Sequence, residues 1–382
     1  MCFLRGQCLG QSSSTTASSI AWRKADFSRR SGAMKTIGVR SSAQQILLAA
    51  LWVAWSWSAA FATHYLPKPG EKTLSMKIST CAISGGFVHL YTALDNGLFD
   101  KYGMKFENIF IRGSAQNMTA LATDEVQFTY CAADGTIPGL ATGVDVKLVA
   151  APLIKLPYVL ITRKEIKRVE DLKGKALGIA RAGDLSDRLS RAVVKKFGMA
   201  PDSVMIRPIG GSQGERYQAM AANVVQGVII TPPMDVRAKN EGYNVLYRLI
   251  ELDLPFLYSS LHTSHKMLRE RPEIVQRMVA AFAEIVHFVD KNPDKAKASI
   301  AKAMRVKDEE ALQSSYNVYA REILDRTMVV PGRTVAEAVD LAREGGTTVR
   351  RKPEEIYDNT FVNNLEKSGF MKEIWGSENY RR

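Results

Sequence analysis

Cysteine is scarce in this sequence: there are four in 382 residues, and Cys2 and Cys8 lie near the start. So few and so scattered, they build neither a disulfide scaffold nor a thiolate zinc cluster. No stretch beyond the first sixty residues is long and uncharged enough for the roughly 20 apolar residues of a membrane span, so no transmembrane helix is expected. There is no G-x-x-x-x-G-K-[ST] loop, and no G-x-G-x-x-G opens a helix after a first strand, which removes the usual nucleotide cofactor sites. His262 and His265 miss the period that would put both imidazoles on one face, and no Asp, Glu and His set completes a metal site. No cofactor and no metal are expected. What is present is an ordinary globular composition, 46% hydrophobic and 24% charged. The 382 residues are enough for two domains, and the composition is too apolar for a disordered chain.

The formal charge of +13 is weighted toward the front. From Met34 a basic stretch (Lys35, Arg40) leads into an apolar run, Ile46 to Trp57, and then Ala60-Phe61-Ala62. This is the pattern of a secretory signal peptide with an A-x-A cleavage site, on a run too short for an anchor. Residues 1–33, rich in Ser and Thr, read as an upstream extension, with Met34 as the start. Removing residues 1–62 takes away seven of the 52 Lys and Arg and one of the 39 Asp and Glu, leaving 45 against 38, or +7. Spread among interleaved acids, this is a mildly basic surface and no nucleic-acid site. Export would let Cys81 and Cys131 pair. Both sit in apolar strand-like runs, and burial as free thiols is the expectation.

Short β-branched or aromatic runs alternate with helical patterns: Met76 to Ile83 then Val88 to Leu94, Met104 to Ile111 then Ala115 to Leu121, Val126 to Cys131 then Thr136 to Ala141, and Val146 to Ala151. A second series runs from Tyr158 to Leu249. The alternation predicts βαβ units on parallel sheets, and from Pro272 onward the apolar spacing predicts helices. The two series resemble each other at a fixed offset. Ala120 and Ala219, Val126 and Val225, and Gly143 and Gly242 are each 99 apart. One repeat at that offset predicts two similar α/β lobes.

In open α/β sheets, ligands bind beyond the carboxyl ends of the strands. The turns there carry Ser84-Gly85-Gly86, Gly113-Ser114, Ala133-Asp134, Arg181 with Asp184 and Ser186, and Thr231. Ser, Thr and Asp at such places also cap helices, but together the five turns predict a binding site. Arg181 stands out: after a strand and before a helix start, it either meets an anionic ligand or pairs with Asp184 or Asp187. Phe87, Tyr130, Tyr158 and Met234 are candidate walls. Gly210-Gly211-Ser212-Gln213-Gly214 matches the G-x-S-x-G nucleophile elbow, so a secreted serine hydrolase using Ser212 is the rival. The same Ser212 and Glu215 form a capping box, the favoured reading.

Three stretches carry a family resemblance: Ala93-Leu94-Asp95-Asn96-Gly97-Leu98-Phe99-Asp100-Lys101-Tyr102-Gly103-Met104, then Asp171-Leu172-Lys173-Gly174-Lys175, then Ala219 through Gln226 to Pro232-Pro233. They resemble the nitrate, sulfonate and taurine group of periplasmic solute-binding proteins of ABC importers, which shares its fold with thiamine-precursor binding proteins. Asn223 stands where the family often has Gly, and Gln226 where it often has Asp. The cysteine-rich segment of the related pyrimidine synthases is lacking. The resemblance implies a two-lobed type 2 periplasmic-binding fold, each lobe a mainly parallel sheet flanked by helices, with a helical C-terminal extension. Lobe 1 would be residues 75–153 plus 254–382, and lobe 2 residues 154–253. It also implies a monomer in the periplasm that clamps a small organic anion by hinge closure, without catalysis, and delivers it to an inner-membrane permease.

Overall fold

A computed structural model describes residues 65–210, 212–376 and 378–381. The expected signal peptide, the upstream extension, Cys2 and Cys8 lie outside the described residues. The first sheet contains β1 (Leu74–Thr80), β2 (Met104–Phe110), β3 (Phe128–Cys131), β4 (Val146–Leu153) and the late strand β10 (Ser259–Ser264), in the order β2-β1-β3-β10-β4. The second contains β5 (Val159–Thr162), β6 (Ala176–Ile179), β7 (Met205–Pro208), β8 (Gly227–Ile230) and β9 (Asn244–Arg248), in the order β7-β6-β8-β5-β9. The four βαβ strands of each sheet are parallel to one another. β10 and β5, the strands that follow a crossover between the sheets, run antiparallel to both neighbours.

The connecting helices are α1 (Val88–Asp95), α2 (Ser114–Ala122) and α3 (Ala133–Ala141) on the first sheet, and α4 (Leu185–Lys196), α5 (Gln213–Ala221) and α6 (Met234–Asn240) on the second. The C-terminal part supplies α7 (His265–Glu270), α8 (Pro272–Lys291), α9 (Pro293–Met304), α10 (Glu309–Asn317), a π-helical turn (Val318–Glu322), α11 (Gly332–Glu344), α12 (Thr360–Lys367) and α13 (Phe370–Trp375). Prolines stand at the first position of α8 and α9, where their missing N–H costs nothing. On α8 every apolar position read from the spacing, from Ile274 through Met278, Phe282 and Ile285 to Val289, is buried. None of the described helices is long and apolar enough to cross a membrane.

The duplication is visible in single hydrogen bonds. Gln127 Oε1 accepts from Lys77 N at 2.9 Å, and Gln226 Oε1 accepts from Ala176 N at 3.0 Å, each tying the start of a helix-following strand to its neighbour. Asp124 and Asn223, again 99 apart, take left-handed φ values of 64° and 62° before those glutamines. This is a conformation that Asn and Asp tolerate better than other side chains. Asn223 therefore does what a glycine would do there, and Gln226 is a structural bridge.

Edge strand β4 is covered by the C-terminal extension: Leu148 N donates to Ile356 O at 3.0 Å and Ala151 N to Met328 O at 2.8 Å. The extension thus closes an edge that would otherwise offer unpaired backbone groups.

Candidate functional site

The turns singled out in the sequence stand at the carboxyl ends of the strands. Ser84 caps the 3-10 turn Gly85–Phe87, its Oγ accepting from Gly86 N at 3.1 Å and lying 3.1 Å from the Tyr258 hydroxyl. Gly85 and Gly86 face aromatic rings: a Cβ would fall 2.6 Å from a Tyr319 ring carbon at the first and 2.3 Å from a Tyr258 ring carbon at the second. Ser114 opens α2, and its Oγ lies 2.4 Å from where a Cβ on Gly135 would stand, so the starts of α2 and α3 touch. Ala133, buried, begins α3. Asp134 follows, half-buried; burial pushes its carboxyl up from the ordinary 3.8 to about 6, against the Gly135 N–H and the nearby Arg188 charge.

On the second sheet, Asp184 is the N-cap of α4. Its Oδ1 accepts from Asp187 N at 3.0 Å and from Ser186 Oγ at 2.7 Å, and its Oδ2 accepts from Arg181 N at 3.2 Å. Ser186 Oγ accepts in turn from Ala180 N at 2.8 Å. Both side chains hold the turn together. Arg181 is exposed, and its guanidinium pairs with neither Asp184 nor Asp187, the latter being bonded to Arg191 Nε at 2.7 Å. Thr231 N and Oγ1 both donate to Gln213 Oε1, at 2.7 and 3.1 Å, which ties the end of β8 to the start of α5.

One expectation is overturned. Cys81 and Cys131 form a disulfide, with Cα atoms 5.5 Å apart. The reason is register: Ile78, Ser79 and Thr80 of β1 lie opposite Phe128, Thr129 and Tyr130 of β3, so the next pair is Cys81 and Cys131. The bond joins the turn carrying Ser84 to the one carrying Asp134.

Residues not singled out in the sequence complete the site. Arg188 and Arg216 stand at one matched place, four residues after their caps Asp184 and Ser212, each preceded by an acid in Asp184-Leu185-Ser186-Asp187-Arg188 and Ser212-Gln213-Gly214-Glu215-Arg216. That repeated cap-x-x-acid-Arg spacing was the available signal. Arg216 is only 5% exposed, and burial lowers its pKa while the Asp184 and Tyr158 charges oppose the shift. Tyr158 is the meeting point. Burial raises its phenol well above the ordinary value, and Tyr258, Asp134, Arg216 and Asp184, drawn from both sheets, all act on it. Tyr258 packs edge-on to Tyr158 at 6.2 Å and stacks on Tyr319 at 5.6 Å. Tyr319 comes from the π-helical turn and donates to Pro232 O at 3.2 Å. Of the expected walls, Tyr158 is here; Phe87 and Tyr130 are packed in the first core and Met234 against the second.

The nucleophile-elbow motif resolves as a cap. Ser212 Oγ accepts from Glu215 N at 3.1 Å and donates to Glu215 Oε2 at 2.9 Å, while Ser212 N donates to the same oxygen at 2.8 Å. No described histidine bonds to it: His262 is buried between Thr136 Oγ1 and Ser260 O, each 3.0 Å away. Among the described residues no group of three or more His, Cys, Asp or Glu is placed to hold a metal.

Two cavities lie where the sheets meet. One, of about 570 Å³, lies among Tyr158, α6, β9 and α10, ringed by Asp235, Lys239, Arg248 and Glu310 and away from the helix starts. The other, of about 460 Å³, opens beside Asp134, Leu185 and Arg188, between α3, α4, α11 and residues 254–257.

The family model described as NMT1/THI5 like matches residues 85–296. Proteins of Brucella abortus and Brucella suis named as binding proteins are 26% identical over 218 residues, 56% of this chain and 66% of theirs, so the match spans just under two thirds of these curated relatives. Among solved structures, the periplasmic aliphatic sulphonate binding protein of Escherichia coli superposes with a TM-score of 0.60 at 18% identity, covering 75% of this chain and 92% of that one. A sulfonate-binding protein of Methylobacillus flagellatus gives 0.63 at 17%, covering 79% and 97%. The alkanesulfonate-binding protein of Xanthomonas axonopodis, bound to MOPS, gives 0.59 at 13%, covering 76% and 100%. The fold is that of periplasmic binding proteins.

Proposed function

Because this chain belongs to the NMT1/THI5-like family, we propose that it is the solute-capturing subunit of an ABC importer, which closes two lobes on a small organic anion and delivers it unaltered to a membrane permease. The lobes are residues 75–153 plus 254–382 and residues 154–253. The hinges are the crossovers before β5 and before β10. A ligand that contacts both lobes stabilises the closed state, and that state is the signal a permease reads. No bond is made or broken.

One observation carries the anion: Arg188 and Arg216, at the same place on two helix starts, converge from two sides, Arg216 acting on Tyr158 and Arg188 on Asp134, which itself acts on Tyr158. Positive charges fixed at helix starts suit a carboxylate or sulfonate. The sulfonate-binding neighbours and the relatives named as binding proteins support this reading. The A-x-A pattern at Ala60-Phe61-Ala62 supports a periplasmic location and an inner-membrane permease as partner.

The test is titration calorimetry of the chain from residue 63 against sulfonates, carboxylates and nitrate. Arg188→Ala weakens the anion that binds more than tenfold, about 1.4 kcal/mol, and Arg181→Ala, at an exposed and unpaired guanidinium, weakens it less. An affinity untouched by Arg188→Ala removes that residue from the site.

A further inference from the structure

The cavity beside Arg188 is too large and too apolar for an anionic group alone. Its volume of about 460 Å³ falls in the range that encloses a drug-sized molecule, roughly 300–1,000 Å³. Of the ionisable side chains that line it, Asp134, Arg188 and Glu337 are half-buried, and Arg191 and Lys195 are exposed. Between them the walls are hydrocarbon: Ile137 and Leu189, both buried, and Phe256. Leu254 and Leu341 also line it, 44% and 45% exposed, so the cavity offers uncovered apolar surface to a ligand. Arg188 Nε is sealed from solvent and has no hydrogen-bond partner among the described residues. A guanidinium N–H held this way is costly unless an acceptor arrives with the ligand.

We infer that the ligand carries an apolar body as well as its oxyanion head, as an aryl or medium-chain alkyl sulfonate or carboxylate does, with the head at Arg188 and the body between α4, α11 and Phe256. This rests on the solute-capture reading and deepens it. The walls come from both proposed lobes, so the body itself favours closure. A one-carbon sulfonate or nitrate would meet only Arg188 and leave the leucines wet. Covering about 100 Å² of ring surface at about 25 cal/mol per Å² tightens binding on the order of fifty-fold.

The experiment is calorimetric titration with two matched series: methanesulfonate, hexanesulfonate and benzenesulfonate, then acetate and benzoate. The expected result is a gain of at least tenfold from the one-carbon to the ring-bearing member of whichever series binds. Ala192→Trp, which fills the groove from α4, reduces that ratio to within threefold. Leu341→Asp, at an exposed position that cannot unfold a core, cuts it at least threefold and serves if the tryptophan variant melts early. Equal affinities along the series, or a ratio unchanged in both variants, overturn the inference while leaving anion capture standing. Absence of binding by every anion overturns both.

Discussion

A carboxyl that keeps its proton to about pH 6 beside an arginine would couple the proposed anion capture to pH. Asp134, at the start of α3, feels the Arg188 charge from α4, and acts on the phenols of Tyr158 from the first crossover and Tyr258 at the end of the second, both raised by burial and neutral. An acid whose folded pKa is raised holds its proton more tightly folded than unfolded. Stability is therefore highest below about 4, falls as pH climbs through about 6, and is level above that. A bound anion adds like charge, so capture draws a proton onto Asp134 and affinity rises as pH falls from 7.5 to 5, by about three- to tenfold. Calorimetry in two buffers of different ionisation heat reads the proton uptake, and Asp134→Asn abolishes it. A pH-independent affinity in the unaltered chain would place the anion elsewhere. Ser212→Ala makes a second residue-scale prediction. Losing a cap costs about 1 kcal/mol of stability, read by urea unfolding, whereas ligand affinity holds within a few-fold. The arginines were harder to see than Asp134 because their meaning depends on which helix face they occupy. The cap-x-x-acid-Arg spacing holds that information only when two instances are compared.

Among the elements, those with a strong period were legible. The runs at Met104 and Val146 became strands within two residues of their expected bounds, and the Ile274 to Val289 spacing became the buried face of α8. Periodicity reports which face is buried, and burial is what these elements have in common. It reports neither strand direction nor partner. Hence β10 and β5 turned out antiparallel, and the Cys81–Cys131 bond went unforeseen because it depends on β1 and β3 being neighbours in one register. Tyr319 was invisible for the same reason, being brought to Gly85 across the whole first lobe. The disulfide closes a 50-residue separation, for which chain entropy gives about 4 kcal/mol. The paired replacement of Cys81 and Cys131 by Ala should lower unfolding stability by about 2–4 kcal/mol. It should also weaken ligand binding several-fold, since Ser84 and Asp134 then lie on turns no longer joined. Urea unfolding of the oxidised, reduced and Ala-substituted chains tests this. Identical midpoints for all three would remove the bond from the stability of the fold.

For the whole molecule the question is what holds the second lobe against the C-terminal extension. Lys239 pairs with Glu310 at 3.1 Å, exposed, and Arg248 with the half-buried Glu322, and Ser314 Oγ donates to Asp235 Oδ2 at 3.1 Å. Every one of these contacts joins α6 or β9 to α10 or the π-helical turn, so opening the proposed hinge breaks them together. Exposed pairs contribute between nothing and about 1 kcal/mol each and fade with salt. Their sum is small beside folding but large beside a closure equilibrium, where about 1 kcal/mol shifts the open-to-closed ratio roughly fivefold. Because apparent affinity scales with the fraction able to close, the double variant Glu310→Gln, Glu322→Gln should bind its anion about two- to fivefold more weakly at low ionic strength. At 0.5 M salt, where the Debye length is about 4 Å, it should match the parent chain. Small-angle scattering of the unliganded variant should show a larger radius of gyration, returning to the parent value once ligand is saturating. If neither affinity nor radius responds to the substitutions at low salt, these contacts only decorate a boundary held by Tyr319 and the aromatic stack, and closure is governed from the ligand side alone.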